Sequence, residues 1–426
     1  MTIDLTPLRR KFPSLEKIVD GKRRIFLDGA GGTQVPQSVI DAMVEYLIFS
    51  NANYSGLYDT SLATDRLLIN VREAVCDFIN GRSWDEVLIG PNMTTLTFAL
   101  AWAVSRRIRP GDKVVVSRLG HGGNIDAWRA LAHYGAVVEF IELVKEDCRL
   151  DYEQARKAIT PGTKIVSIEY ASNATGTVHE VGRLAEWAHA VGAWLFVDAV
   201  HMAPHLPMDV QAIDADFLAC SAYKFFGPHV GFLWGKKEIL ESLDPFRPWP
   251  DFSEMPSKYV LGTPNMEGLA GAVAAIEYLA DVGREYGSKL EAHYSRGYSG
   301  RRLQLKKGMA AIAEYELGLS GILNEGLKKI PGLTVWGITA AAHLTQRCPT
   351  YSFQLAGFDC NELCRRFNEH GIFVWNGMEG FGALEFVKHF HLIETGGLLR
   401  VCIEHYNTPE EIQLFLRTLE TIIKGR

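Results

Sequence analysis

An acid and an amine make the most informative stretch of this chain. Asp198 ends the apolar run LFVD, and Lys224 follows in SAYK, just ahead of FFGPHVG. A lysine set among aromatic and small residues either snorkels its ammonium to solvent or is desolvated. A desolvated amine has a depressed pKa and forms Schiff bases. The acid has two readings as well: a helix N-cap, or the partner of a protonated ring nitrogen. Neither residue decides alone. Other groups sit where chemistry collects. His201 follows Asp198 closely, although a single histidine there also reads as a satisfied core residue. His121 lies in the loop GHGGN. Thr94 and Thr95 open a helix, where hydroxyls cap the backbone or help hold an anion. Ser221 and Tyr223 flank Lys224 with hydroxyls. Arg400, in LLRVCI, is either an ion-pair partner or a fork for a carboxylate.

Several alternatives fail on spacing. GAGGTQ after RIFLD resembles a dinucleotide fingerprint, but Gln34 stands where the final glycine belongs. No GxxxxGK[ST] phosphate loop occurs. The seven cysteines are scattered, with no CxxC pair, and the 13 histidines carry no HExxH spacing. The expectation is reduced thiols, no disulfide framework and no metal. A formal charge of −6 without a basic run predicts no nucleic-acid surface. The polar N-terminus and the lack of a long apolar run predict no signal peptide and no membrane span, hence a cytoplasmic protein.

The elements that must position these residues alternate. VLIG, KVVVS, VVEFIEL, KIVSIEY, WLFVDAV, DFLACSA and GFLWG read as strands, several near-continuously apolar. Helical segments such as NMTTLTFALAWAVS and GRLAEWAHAVG lie between them. That pattern predicts an α/β fold with a mostly parallel sheet covered on both faces. Functional residues then gather at the carboxyl ends of strands, which selects Asp28, Gly90, Ser117, Asn173, Asp198 and Ser221 as places to search. Beyond about residue 265 long helices dominate, followed by strand candidates LTVWGI, TYSFQLAG, IFVWNG and LLRVCIEHY. The expected organisation is an N-terminal segment 1–24 packing with the small domain, a large domain 25–285, and a smaller α+β C-terminal domain 286–426.

VDAVH followed by SAYKFFGP resembles the cofactor segment of class V, fold type I pyridoxal-phosphate (PLP) enzymes, the cysteine desulfurase-like group. LDGAGGTQVP, NMTTLTFAL, GHGGN, SNATGT, LGTPN and RVCIEHYNT follow the family's landmarks in order, so the resemblance spans about residues 20–420. It implies a PLP-dependent transferase fold with a seven-stranded sheet and a homodimer. It also implies roles. Lys224 holds the cofactor and moves the Cα proton. Asp198 keeps the pyridine nitrogen protonated, and His201 lies near the ring oxygen. His121 stacks on the ring, and Asn173 meets the ring oxygen or the substrate carboxylate. Thr94, Thr95, Ser221 and Tyr223 serve the phosphate, and Thr263 reaches the phosphate of a neighbouring subunit. Arg400 clamps the α-carboxylate of an amino-acid substrate.

The chain departs from the group at one place above all. Desulfurases carry a mobile cysteine in the loop that follows the strand corresponding to IFVWNG. Here that loop reads GMEGFG, and no cysteine lies between Cys364 and Cys402. Where desulfurases often carry a His-Arg pair, this chain has Tyr54 and Ser55, so Tyr54, Tyr58 and Phe381 are candidates to line a roomier site. The leading expectation is a C–S lyase acting on cysteine or a cysteine S-conjugate by β-elimination. Alternatives are desulfurase-like sulfur transfer, decarboxylation or oxidative deamination, epimerisation and transamination.

Overall fold

The computed structural model describes residues 3–19, 21–248 and 253–425. Its centre is a seven-stranded sheet built from β1 (Val87–Gly90), β2 (Lys113–Ser117), β3 (Val137–Ile141), β4 (Thr163–Glu169), β5 (Trp194–Asp198), β6 (Phe217–Ser221) and β7 (Gly231–Gly235). Their spatial order is β1-β7-β6-β5-β4-β2-β3. The strands run parallel except β7, which is antiparallel to both β6 and β1. The period-two alternation of strands divides the apolar side chains between two cores. Val115, Val166, Ile168, Leu195 and Val197 enter one. Val114, Val116, Ile165 and Phe196 enter the other. Burial on both faces is why these strands read as unbroken apolar runs.

A second sheet follows the helices Met266–Tyr286 and Gly300–Leu327. It comprises β8 (Leu333–Trp336), β9 (Thr350–Leu355), β10 (Trp375–Gly377) and β11 (Leu398–Cys402), in the antiparallel order β8-β9-β11-β10. One expected strand splits. IFVWNG breaks at Val374 into Ile372–Phe373 and β10, because the two pieces pair with different partners: Ile25–Phe26 in parallel, and β11.

That first pairing moves residues expected to open the large domain. Ile25 and Leu27 alternate onto one face, and the C-terminal core covers them together with Phe353, Ile372 and Val401. The N-terminal segment also spans more than the small domain. Arg9 pairs with Glu411 at 2.7 Å, and Phe12 packs on Tyr406. Phe12 equally meets Phe226 and Tyr278 from the other side. Phe12, extended between the 3₁₀ turns Thr6–Lys11 and Pro13–Glu16, thus joins both halves. No helix among the described residues is long and apolar enough to cross a membrane.

Candidate active site

A cavity of about 510 Å³ opens at the carboxyl ends of β4, β5 and β6, with β10, β11 and the loop after β10 forming its opposite wall. Lys224, Asp198, His121, His201, Asn173, Thr94, Ser221, Tyr223 and Arg400 all line it. The strand-end rule therefore converges the candidate residues, from segments far apart in sequence, on one space.

Lys224 stands on the 3₁₀ turn Ala222–Lys224 that ends β6, and it is only 8% exposed. Its Nζ donates to the carbonyl of Ala30, on the glycine-rich turn after Asp28. Burial, then the positive charge of Arg400, lowers its pKa to about 7, against the smaller opposing pull of Cys402, Glu404 and Asp198. The amine is thus poised to be unprotonated near neutrality. Asp198 closes β5, and its Oδ1 accepts the backbone N–H of Val200 at 3.1 Å. Burial raises its pKa to about 7; that N–H works against the rise, Glu169 adds to it, and Lys224 lowers it. A buried carboxyl of this kind is stable as an anion only beside a proton donor or a cation.

The imidazoles are neutral. His121 caps the helix Gly122–Arg129, its Nδ1 accepting the N–H of Gly123 at 2.9 Å. The ring is solvent-reachable at the cavity mouth yet closed in by the surrounding walls. That desolvation, then Lys224 and Arg400, lowers its pKa to about 4. His201 is fully enclosed, with its pKa held well below the usual imidazole value by burial and then by His205. Its Nε2 lies 2.9 Å from Thr350 Oγ1, and its Nδ1 is buried without a partner. The helix Met93–Ser105 points its N-terminus at the cavity, with Thr94 in its first turn and Met93 N–H donating to Ser221 Oγ at 2.9 Å. Such a terminus favours an anion.

The opposite wall is built around Arg400. The side chain is buried on β11, and its Nη1 donates to the carbonyl of Asn173 at 2.9 Å. Its Nε is buried and unpartnered. Its Cζ lies 4.1 Å from the ring centre of Phe381 and 5.8 Å from that of Trp375. Desolvation lowers its pKa to about 10, so the guanidinium stays charged. Phe381 has left-handed backbone (φ 60°), and its carbonyl accepts from Asn173 Nδ2 at 2.9 Å. Gly382 follows at φ 86°, so close to the His121 ring that any Cβ there would collide with it.

Thr95, Tyr54 and Tyr58 lie elsewhere, as does Thr263, whose expected role is in a neighbouring subunit. Thr95 turns away: its N–H and Oγ1 both donate to Asn92 Oδ1, the helix cap, and it lines a separate cavity together with Thr263. Thr263 itself is exposed. Tyr54 and Tyr58 are not among the residues lining the main cavity, and Tyr58 is 56% exposed. None of the seven cysteines lines the cavity either; Cys402 is buried, with Thr350 Oγ1 donating to its Sγ. The sequence reading passed over Glu169 and Trp375. Glu169 ends β4 after the buried residues 165–168, and an acid at a strand's carboxyl end was the available signal.

The class-V aminotransferase family model matches residues 25–301 and 299–415. A probable cysteine desulfurase of Synechocystis is 30% identical over 98% of this chain and 95% of its own length. The aminotransferase-like protein FGM3 of Gibberella zeae is 31% identical over 98% of each. Among solved structures, the apo cysteine desulfurase of Thermococcus onnurineus superposes with a TM-score of 0.85 at 26% identity, covering 100% of this chain and 99% of that one. The cysteine desulfurase CsdA of Escherichia coli shares the fold, with a TM-score of 0.82 at 24% identity over 100% of this chain and 99% of its own.

Proposed function

This chain belongs to the class-V aminotransferase family of PLP-dependent enzymes, and from that premise we propose that it is a C–S lyase that eliminates a β-thiolate from cysteine or a cysteine S-conjugate. The residues present fit the cofactor. A desolvated amine, a buried acid, a helix N-terminus and a partnerless imidazole nitrogen all face one cavity. Lys224 would hold the cofactor, with Asp198 at its ring nitrogen, His121 against the ring, His201 and Asn173 toward the ring oxygen, and Thr94, Ser221 and Tyr223 toward the phosphate. When bound, PLP supplies an aldehyde for the substrate amine and a ring that accepts the electron pair released at Cα.

The chain's own residues do the rest. Arg400 holds the substrate carboxylate through its unpartnered Nε edge. Lys224, with a pKa near 7, takes the Cα proton and can return it to the departing group. The thiolate leaves with the C–S electron pair, and water completes the reaction to thiol, pyruvate and ammonia. The observation that carries this reading is a complete amine–acid–guanidinium set in a cavity lined by no thiol. The names of the relatives favour a second reading, sulfur transfer from cysteine, which needs a cysteine that can reach the substrate sulfur.

Product analysis separates the two. Incubation with cysteine and S-alkyl cysteines is expected to yield pyruvate and free thiol; alanine with protein-bound persulfide overturns the lyase reading.

The functional unit we propose is a pair of chains. Val44, Leu47, Ile48 and Phe49 on the helix Gln37–Phe49, with nearby Leu57, are exposed apolar residues. A second copy covering them accounts for Thr263, Tyr54 and Tyr58 lying away from their own chain's cavity. Light scattering at the mass of one chain counts against it.

A further inference from the structure

Glu169 and Asp198 are register partners on the parallel strands β4 and β5. Register partners point to the same face of a sheet, and both residues line the main cavity. The two oxygens of Glu169 are used unequally. Oε1 accepts from Ser117 Oγ at 2.8 Å and from His179 Nε2 at 2.9 Å. Oε2 is buried with no partner, in a residue only 3% exposed. Burying a carboxylate oxygen unpaired is costly, and native proteins leave few such groups without a use. Ser117 and His179 hold the side chain through Oε1 and leave Oε2 free.

We propose that Glu169 is a positioning residue for the cofactor: with Asp198 it forms a two-carboxylate seat that keeps the ring nitrogen of bound PLP protonated. The inference rests on the PLP reading of the cavity. Charge counting supports it. Arg400 from β11 brings a lasting positive charge to this space, and Lys224 from the turn after β6 adds one only while it is protonated. A cation there disfavours a protonated ring nitrogen. His121 and His201 add no charge, being held neutral by burial. Cys220, behind Asp198 on β6, and Asp28, near Arg400 and Lys224, have their pKa values raised by burial to about 12 and about 6. The carboxylates that line the cavity are Asp198 and Glu169, side by side on β5 and β4, and Glu379 in the loop after β10. Two carboxylates sharing one site bind a proton more tightly than either alone.

The test uses holoenzyme loaded with ¹⁵N-labelled PLP, following the ring-nitrogen chemical shift against pH. Glu169→Gln keeps the shape and the Oε1 acceptor but removes the charge, with Glu169→Ala as a second neutral variant should the first not fold. Neutral variants are expected to lose the ring proton at a pH lower by about one unit, a tenfold loss of proton affinity. They should also bind PLP more weakly. Glu169→Asp, which restores the charge, is expected to recover most of the shift; a purely structural role would not follow charge in this way. Superimposable ¹⁵N titrations for wild type and the neutral variants overturn the proposal. A wild-type chain that retains no labelled cofactor after gel filtration instead overturns the PLP reading, and this inference with it.

Discussion

The floor and the roof of the cavity are built by different means. The large sheet supplies the floor: Asp198, Glu169 and Lys224 stand at or just after the ends of β5, β4 and β6, and each of these strands is paired on both sides, β4 and β5 by parallel neighbours and β6 by parallel β5 and antiparallel β7. The small sheet supplies the roof. Arg400 comes from β11, but its surroundings come from a short loop in which Phe381 adopts left-handed backbone and Gly382 presses on His121. A rigid floor holds proton-transfer groups to a narrow geometry, as such chemistry demands. A loop-built roof can change its side chains without disturbing that geometry. The expected division is that floor residues govern the chemical step and roof residues govern which substrate enters.

Lys224→Ala is the harshest test of the floor. It removes the amine that captures the cofactor and moves the proton. The aldehyde should no longer be fixed to the protein by borohydride, and turnover should fall by about 10⁴-fold, the upper range for a lost proton-transfer group. Arg400→Lys tests the roof. Lysine keeps the charge but loses the planar fork and the stacking on Phe381. The substrate KM should rise about 10- to 100-fold, matching the worth of a hydrogen bond to a charged group, with kcat little changed. A variant that instead lowers kcat at constant KM breaks the proposed division.

A third test asks whether the floor's electrostatics act as its geometry implies. The Lys224 pKa is depressed to about 7, chiefly by burial. Only the neutral amine attacks an aldehyde. The rate at which apoenzyme captures PLP should therefore fall about tenfold per pH unit below 7 and level off above it. A capture rate still climbing tenfold per unit from pH 8 to pH 10 would mean an ordinary, solvated lysine. Removing the nearest cation sharpens this. With Arg400→Met the midpoint should move up, because Arg400 is the second cause of the depression.

The floor was legible in the sequence and the roof was legible in part. Apolar strands separated by helices give the parallel sheet, and the strand-end rule then points at Asp198, Asn173 and Ser221 without any tertiary information. Glu169 obeyed the same rule, yet an acid closing a strand does not announce which strand will lie beside it; only the pairing with β5 sets it next to Asp198. The roof depends on non-local choices. IFVWNG scans as one strand, and its division between two sheets at Val374 follows from competition between Ile25–Phe26 and β11 for its backbone. Thr95 stood beside Thr94 with identical chemistry. The helical turn of about 100° per residue sends one into the cavity and the other to Asn92.

Phe381→Gly makes the smallest and most discriminating change. A bulky residue at φ 60° costs about 1 kcal/mol or more, and glycine removes that cost. The same change deletes the ring 4.1 Å from the Arg400 guanidinium, an interaction of roughly 1–2 kcal/mol when desolvated. The two terms nearly cancel, so the melting temperature should shift little. Binding should not be neutral, since an apolar surface beside the carboxylate site is lost. KM for S-alkyl cysteines should rise severalfold, more for longer S-alkyl groups, while KM for cysteine itself stays close to wild type. If both substrates weaken equally, Phe381 serves only to hold Arg400 in place, and the roof positions the substrate without selecting it.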